Sequence, residues 1–343
     1  MTENIIGNVY KVSNKERYWL FRAGQKAKYF DLFYSKNKIG IGWDRIDDLK
    51  GIDSRDKLKE LTKSKYPEDK KPGNISNKIY NFAAGMKKGD IIIMPDTEKK
   101  RVAFGKIIDN DLDVRKVIEQ KRLLYIGGET RKETERTDPG IINKFRNVQW
   151  LKILPKDNLN PKLLLHLFSP HSISKLSDSM RYEVNKLLHD VFVIDNRIHI
   201  KYKIDTNSEV CASDMKTFFD VLSYAEKIIN LIEDKNEKIV TKTSVCSKGD
   251  IIAIIFAGAT ALSVLGQIFN GGSLKVNFGE FGLEKAGGKT LHDYIEQRHR
   301  HKMEKDKIEV LNKLIEKMGQ DIPLEKIEAM KKNLEFKVPK IDD

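Results

Sequence analysis

The sequence predicts an α+β protein, with a small helix-decorated β-barrel in its N-terminal half and a mainly helical C-terminal region. Three observations lead to this fold class. Short apolar segments bounded by glycine, proline and polar residues predict strands in the first 155 residues. These segments do not alternate regularly with helical patterns, as a parallel α/β sheet requires. After Pro155 the apolar residues recur mostly at helical spacing.

The N-terminal half contains five predicted strands and three predicted helices. The strands are residues 18–22, 38–43, 91–94, 101–108 and 144–153, and the helices are residues 26–36, 55–65 and 76–87. Ser54 is suited to cap the second helix, which should end before Tyr66-Pro67 because the residue before a proline avoids helical geometry. Residues 109–143 are polar, carry GG and DPG breaks, and indicate a long insertion.

The C-terminal half is predicted to be helical over residues 161–190, to form a hairpin over 191–204 and to form an amphipathic helix over 214–232. A polar linker is expected at 233–249, and a charged helical tail at 291–334. The predicted domains are therefore a nucleic-acid-binding domain (1–158), a mixed extension (159–232), a linker (233–249) and a C-terminal segment of unassigned function (250–343).

The apolar segment 251–269 has two interpretations. It is close to the roughly 20 residues that cross a bilayer, but it contains Thr260, Ser263 and Gln267 and lacks flanking aromatic residues. A buried helix, or a strand followed by a turn and a helix, explains it as well. Membrane association is the less favoured interpretation.

The positive charge is concentrated in the N-terminal half. Residues 1–155 contain 34 Lys+Arg and 22 Asp+Glu, whereas residues 156–343 contain 29 and 28, within a chain of net charge +13. Such an excess attracts polyanions, so nucleic acid is the expected partner. The two cysteines, Cys211 and Cys246, are too few for a disulfide framework, and the N-terminus has no signal pattern. These features favour a cytoplasmic protein.

The sequence contains only incomplete or chance matches to catalytic and metal-binding motifs. The GGKT segment 287–290 has Leu283 where a phosphate-binding loop needs glycine. His292 and His299 lie on one helical face without further metal ligands. Asp321 with the acid-x-Lys letters of 335–337 fits a restriction-nuclease pattern, but a highly charged chain produces that match by chance. We therefore expect no cofactor and no metal, and the chain is more typical of a binding protein than of an enzyme.

All three tryptophans lie in the basic half. Trp19 and Trp150 lie within apolar strands and are predicted to be in the core. Trp43 follows Gly40-Ile41-Gly42 at the point where a strand meets a loop, so its ring is available to stack on an unpaired base.

Five segments in this order resemble a known family. They are YWLFRAG (18–24), KIGIGW (38–43), GDIIIMPD (89–96), VAFGKI (102–107) and NVQWLKILPKDN (147–158). The set resembles EVE/YTH-type domains of the PUA-like superfamily, and most closely the version at the N-terminus of prokaryotic Mrr-like restriction proteins. The resemblance covers about residues 8–158, and MRYEVNKLLHDVFVI (180–194) is similar to a segment that follows that domain.

This resemblance implies a β-barrel with an aromatic cage that accepts a flipped, modified base. The predicted pocket residues are Trp43, Arg22, Ala23, Gly24, Asp44 and Tyr125. Trp43 matches the cage tryptophan, and Tyr125 is the candidate for the second cage wall, because the insertion 109–143 lacks the tryptophan found there in YTH domains. The residues expected to contact phosphates are Lys99, Lys100, Arg101, Lys144 and Arg146.

The expected function is that of a sensor or adaptor that binds modified bases in DNA, in prokaryotic antiviral defence. The segment 293–307 is similar to a small module of defence proteins, and the C-terminal helices are expected to recruit an effector or to self-associate. Three alternatives remain open: a modification-dependent nuclease with a divergent site, a membrane effector that uses 251–269, and an RNA-binding housekeeping protein.

Overall fold

The computed structural model divides the chain into two compact units, residues 14–188 and residues 1–13 with 189–343. It describes residues 9–49, 54–96, 100–115, 123–126, 129–132, 141–169, 171–234, 236–243, 249–256, 261, 264, 265, 269 and 305–335. The α+β class is confirmed, since both units combine a mixed sheet with helices.

The strands are β1 (Tyr10–Lys11), β2 (Tyr18–Phe21), β3 (Lys38–Ile41), β4 (Ile91–Asp96), β5 (Arg101–Ile107), β6 (Asp113–Val114), β7 (Leu123–Ile126), β8 (Glu129–Lys132), β9 (Lys144–Pro155), β10 (Ile173–Lys175), β11 (Val191–Ile194), β12 (Arg197–Ile204), β13 (Val240–Thr243) and β14 (Gly249–Phe256). The helices are α1 (Phe30–Ser35), α2 (Arg55–Lys65), α3 (Pro72–Tyr80), α4 (Pro161–Leu167), α5 (Met180–Leu188), α6 (Ala212–Glu233), α7 (Lys305–Asp321) and α8 (Leu324–Asn333).

The unit 14–188 is built on a seven-stranded sheet in the order β10-β2-β4-β5-β9-β3, with β6 paired to β9. The pair β2–β4 is parallel, and the other pairs are antiparallel. The 12-residue strand β9 pairs with β5 through residues 148–155 and with β3 through residues 144–147. Because one long strand serves both partners, the sheet curls into a half-barrel.

Both faces of this sheet are buried. Trp19 and Phe21 of β2 join a core with α1, α2 and α3, whereas Tyr18 and Leu20 face a second core with α4 and α5. A strand covered on both faces needs apolar residues at successive positions. This explains why YWLF and IIIM read as unbroken apolar runs.

The five strands and the second helix predicted in the N-terminal half are confirmed, and Ser54 Oγ accepts a hydrogen bond from the Lys57 amide at 3.3 Å. The other two helices differ from the prediction. Lys26 and Ala27 have positive φ, so α1 begins only at Phe30. Pro72 occupies the first turn of α3, where its fixed φ favours an earlier helix start than residue 76.

The predicted hairpin at 191–204 is confirmed. Strands β11 and β12 are antiparallel, and the turn residues Asp195 and Asn196 have φ of 48° and 59°. Positive φ at both central residues is typical of a type I′ turn, whose twist matches that of the two strands it joins.

The second unit does not confirm the mainly helical character predicted for the C-terminal region, because it combines helices with a sheet. Its sheet has five strands in the order β1-β11-β12-β14-β13, with α6, α7 and α8 packed on one core. Strand β13 lies inside the predicted linker 233–249, and β14 occupies the start of the apolar segment 251–269. The run IIAIIF has no helical or alternating period, so its sequence does not separate a buried strand from a buried helix.

The rest of the apolar segment is described at four positions, Ala261, Val264, Leu265 and Phe269, all buried in the same core as β14. Among the described residues, no helix is long and apolar enough to cross a membrane. The first unit extends to Leu188 rather than to the expected boundary at 158, because β10 pairs with β2 and because α4 and α5 cover the sheet.

Candidate functional site

A cavity of about 590 Å³ opens in the unit 14–188 near the ends of β2 and β3. Its apolar lining consists of Phe21, Ile41, Ile75, Ile142 and Ile173, all of them buried. The aromatic residues Trp43 and Tyr29 also line the cavity. The volume falls within the range of about 300–1,000 Å³ that is usual for small-molecule sites.

The polar groups of the cavity are few. Arg22, Gln25, Asp69, Lys78 and Ser172 contribute to its lining. Lys78 Nζ lies 5.6 Å from the ring centroid of Trp43, within the range of a cation–π contact. The cavity therefore combines an apolar floor and aromatic residues with hydrogen-bonding groups, two cationic side chains and one carboxylate, a combination that suits a planar polar ring.

Trp43 has an unusual backbone conformation. Its φ is 62°, a region that bulky residues rarely adopt and that costs about 1–3 kcal/mol. The Trp43 carbonyl accepts hydrogen bonds from the Ile46 amide at 3.1 Å and from Lys144 Nζ at 2.9 Å. The surrounding structure thus holds this tryptophan at the cavity despite the strain.

Lys144 is the residue that holds this turn, and its expected role at phosphates is corrected. The side chain is buried, and Nζ also donates to the Gly42 carbonyl at 3.2 Å and to Asn143 Oδ1 at 2.8 Å. Burial lowers the pKa of Lys144 to about 7, against the opposing charges of Asp44 and Asp47. A phosphate cannot reach this amine, because residue 144 lies inside the unit.

The loop that carries Tyr29 is also constrained. Gly24 has φ of 78°, and a Cβ added there would lie 2.7 Å from Tyr29 Cδ2. The Tyr29 amide donates to the Ala23 carbonyl at 3.0 Å, and Lys28 Nζ lies 4.8 Å from the Tyr29 ring centroid. Gly24 is therefore required both by its conformation and by the close approach of the Tyr29 ring.

The structure brings together part of the predicted pocket. Trp43, Arg22 and Gly24 line the cavity, whereas Ala23 is fully buried and Asp44 lies beside Trp43 without contributing to the lining. The Arg22 guanidinium also donates to the carbonyls of Leu167 and Ser169, at 2.6 Å each, and of His171 at 3.3 Å. Tyr125 is on β7, and its side chain lies outside the described residues.

The residues expected to contact phosphates differ in their exposure. Lys99 lies outside the described residues, and Lys100 is exposed. Arg101 is held by Asp96 at 2.8 Å and by Asp31. Arg146, like Lys144, is corrected to a buried position: it donates to the Phe82 carbonyl at 2.6 Å and to the Ala83 carbonyl, and burial lowers its pKa.

Other exposed lysines adjoin residues that line the cavity. Lys26 and Lys28 are exposed on the loop after Gly24, and Lys70 and Lys71 are exposed directly after Asp69. The unit as a whole contains 38 Lys+Arg and 24 Asp+Glu, a net charge of +14. This basic rim was not predicted, because loops distant in sequence meet there only in the folded unit.

Tyr29 and Lys78 were also missed as site residues. Tyr29 belongs to a run of aromatic residues at helical spacing, and Lys78 resembles any exposed helical lysine. No group of three or more His, Cys, Asp or Glu side chains suited to a metal ion is found in the part of the chain that the structure describes.

Comparison with known proteins adds one match. No curated protein and no solved structure matches the chain. Residues 17–177 match a family described as a domain of unknown function (DUF8426). The matched segment is a little under half of the chain, lies within the unit 14–188 and includes every residue that lines the cavity. The cavity is thus contained in the segment that is similar to this family.

Proposed function

We propose that the unit 14–188 binds a modified nucleobase in DNA, in the cavity beside Trp43. In this proposal the unit is a PUA-like domain of the EVE/YTH type, and the chain is a sensor or adaptor in prokaryotic antiviral defence. The observation that carries the proposal is Trp43 itself. A bulky residue is held with φ of 62° at the edge of an apolar cavity by a buried lysine.

The chemistry of the cavity supports a base as the ligand. A nucleobase is flat, stacks on aromatic rings and has donors and acceptors at its edge. Trp43 and Tyr29 supply rings, Ile75 and Ile142 supply apolar contact, and Gln25 and Asp69 supply polar groups. A methyl or hydroxymethyl group adds carbon surface to the base, and moving that surface from water into an apolar cavity is favourable.

The charge of the unit supports a polyanionic partner. A net charge of +14 raises the local concentration of nucleic acid, and Lys26, Lys28, Lys70 and Lys71 lie beside the cavity lining. Contacts to phosphates hold a strand in place without reading its sequence. The cavity would then supply the selectivity, and the lysines most of the affinity.

The proposal is tested by binding of the full chain to matched single-stranded DNA oligonucleotides at fixed salt. The target base is plain, methylated or hydroxymethylated. We expect a preference of about tenfold or more for one modified form, equivalent to about 1.4 kcal/mol. Trp43→Ala should remove the preference, because the modified base loses its stacking surface.

Tyr80→Ala is the matched control. Tyr80 is a half-buried aromatic residue beneath a cation, with Arg55 5.1 Å from its ring centroid, but it does not line the cavity. The control should keep the preference. Equal binding of all oligonucleotides by the wild type, or an unchanged preference in Trp43→Ala, would contradict the proposal.

A further inference from the structure

The two most exposed large apolar side chains in the described chain lie together on α4 and the residue after it. Phe168 is 80% exposed and Leu165 is 71% exposed. Residues three apart lie on the same face of a helix turn. Water contact with these side chains is unfavourable by roughly 25 cal/mol per Å² of apolar area, so the pair is a surface that gains free energy when it is covered.

The backbone around Phe168 is fixed. Asn160 Oδ1 caps α4 by accepting from the Leu163 amide at 2.8 Å, and Leu163 and Leu167 are buried. Arg22 Nη2 donates to the carbonyls on both sides of Phe168, those of Leu167 and Ser169, at 2.6 Å each. The exposed Phe168 ring is therefore attached to a backbone turn that hydrogen bonds from Arg22 hold in place.

The same arginine connects Phe168 to the cavity. Arg22 lines the cavity, and Ser172 and Ile173, a few residues beyond Phe168, line it as well. Four residues of chain span at most about 14 Å. An apolar tip thus stands within a few base-pair steps of the cavity that is proposed to hold the base.

We propose that Phe168, assisted by Leu165, is a wedge that enters a DNA duplex and fills the space left by the base that moves into the cavity. This inference rests on the proposed function. A base in a duplex must leave the stack to be read, at a cost of about a few kcal/mol. An apolar side chain inserted between base steps offsets part of that cost, and the charge of +14 favours a nucleic acid over an apolar protein surface as the partner.

The wedge predicts a difference between duplex and single strand. Phe168→Ala in the full chain should weaken binding to a duplex with the preferred modified base by about tenfold. Binding to the same strand without its complement should change by less than about twofold, because no base has to leave a stack of pairs. A mismatch opposite the modified base should restore most of the lost affinity, and Phe168→Trp should bind the duplex like the wild type.

Ile108→Ala is the control, because Ile108 is a 45%-exposed apolar residue of the same unit that does not line the cavity. It should change neither binding. A 2-aminopurine beside the modified base should brighten on binding to the wild type and much less on binding to Phe168→Ala.

The two proposals fail in different ways. If Trp43→Ala leaves single-strand binding unchanged, the cavity is not the base site, and the proposed function fails. If Trp43→Ala weakens binding to both forms while Phe168→Ala affects neither, or both equally, the cavity stands and the wedge is refuted. Loss of self-association in Phe168→Ala with duplex binding intact would also refute the wedge and assign the surface to a second copy of the chain.

Discussion

The unit 14–188 and the unit formed by residues 1–13 and 189–343 share one kind of framework, a mixed sheet with buried apolar strands and packed helices. Their charges differ sharply. The first unit carries 38 Lys+Arg against 24 Asp+Glu, and the second carries 25 against 26. Fold class therefore does not distinguish the two units as candidates for binding nucleic acid, whereas charge does.

The backbone irregularities of the two units differ in kind. In the described part of the second unit, the non-glycine residues with positive φ are Asp195, Asn196, Asp234 and Glu335, at a hairpin turn and at helix ends. Turns and helix ends are the usual places for this conformation. In the first unit Asn37 and Lys100 also have positive φ at connections between elements, but so do Trp43, which lines the cavity, and Lys26 and Ala27, which follow the lining residue Gln25. Strain at such residue types indicates a functional constraint.

The buried lysines of the two units are also stabilised differently. Lys201 in β12 pairs with Asp190 at 2.9 Å, and hydrogen bonds from Lys203 and Lys201 lower the pKa of that aspartate although its burial acts to raise it. Lys144 instead donates to two carbonyls and an amide oxygen at the Trp43 turn. Lys201 therefore forms an ion pair within the sheet unit, whereas Lys144 stabilises the backbone turn that carries Trp43 at the candidate site.

The largest expected effect comes from replacing Lys144, with Lys201 as the comparison. Lys144→Ala should lower the free energy of unfolding by about 2–4 kcal/mol, because three acceptors lose their donor and a cavity is left. It should also remove the preference for the modified base, because the Trp43 turn loses its clamp. Lys201→Ala should destabilise the protein but keep the preference. Urea unfolding and oligonucleotide binding measure both effects, and a preference retained in folded Lys144→Ala would contradict this role.

The pH dependence of stability sharpens the same comparison. Burial lowers the pKa of Lys144 from 10.5 to about 7. Between these values the unfolded chain binds more protons than the folded one, so stability rises with pH, by at most about 1.4 kcal/mol per pH unit. Below pH 7 both states are protonated and the slope vanishes. Relative to Lys144→Met, the wild type should therefore gain more than about 1 kcal/mol between pH 7 and 9.

The second unit has a different pH window. Burial, together with the charges of Lys242 and Arg197, lowers the pKa of His199 to about 4. Because the unfolded chain binds more protons than the folded one in this range, His199 makes stability rise with pH between about 4 and 6.5, and His199→Gln should remove that slope.

The Lys144 prediction would be contradicted by parallel curves of stability against pH for the wild type and Lys144→Met above pH 7. Such curves would show that Lys144 keeps an ordinary pKa.

A smaller effect is expected from the basic rim. Replacing Lys70 and Lys71 together by glutamine should weaken DNA binding by about tenfold, equally for plain and modified bases. The slope of log affinity against log salt concentration should become shallower by nearly two units, because two phosphate contacts are lost. The matched control is the adjacent pair Lys331 and Lys332 in α8 of the second unit. If both double variants weaken binding equally, net charge rather than the cavity rim provides the affinity.

The smallest effects come from two glycines and have opposite signs. Gly24→Ala should cost about 1–2 kcal/mol and weaken base binding, because φ is 78° and the new methyl group would meet the Tyr29 ring. Gly319→Ala in α7 should stabilise by about 0.5–1 kcal/mol, since nothing lies within 4 Å of the added Cβ and alanine favours the helix. Thermal unfolding measures both, and destabilisation by Gly319→Ala would contradict this assignment.

Apolar patterning predicted the strands of the first unit well, because YWLF, IIIM and RVAFGKI are too short and too apolar to be surface helices. The same reasoning did not resolve β14, whose IIAIIF is equally compatible with a buried helix. The positive φ of Lys26 also has no sequence signal, because lysine is common in helices.

The site was predictable only where a single segment carries it. Trp43 was identified because G-I-G-W ends a strand at a loop. Lys144 and Arg146 were misassigned because their burial depends on segments about 60–100 residues earlier, namely the Trp43 turn and residues 82–83, which follow α3. Tyr29 and Lys78 enter the site only through tertiary packing, which local patterns do not contain.

The most direct test of the account is photocrosslinking of the full chain to DNA that carries a photoreactive halogenated pyrimidine at the target position, with the crosslinked residue identified by mass spectrometry. Crosslinks are expected at Trp43 or Tyr29, and they should be lost when an unlabelled modified oligonucleotide competes. Crosslinks confined to residues 189–343 would place the base in the second unit and would contradict it.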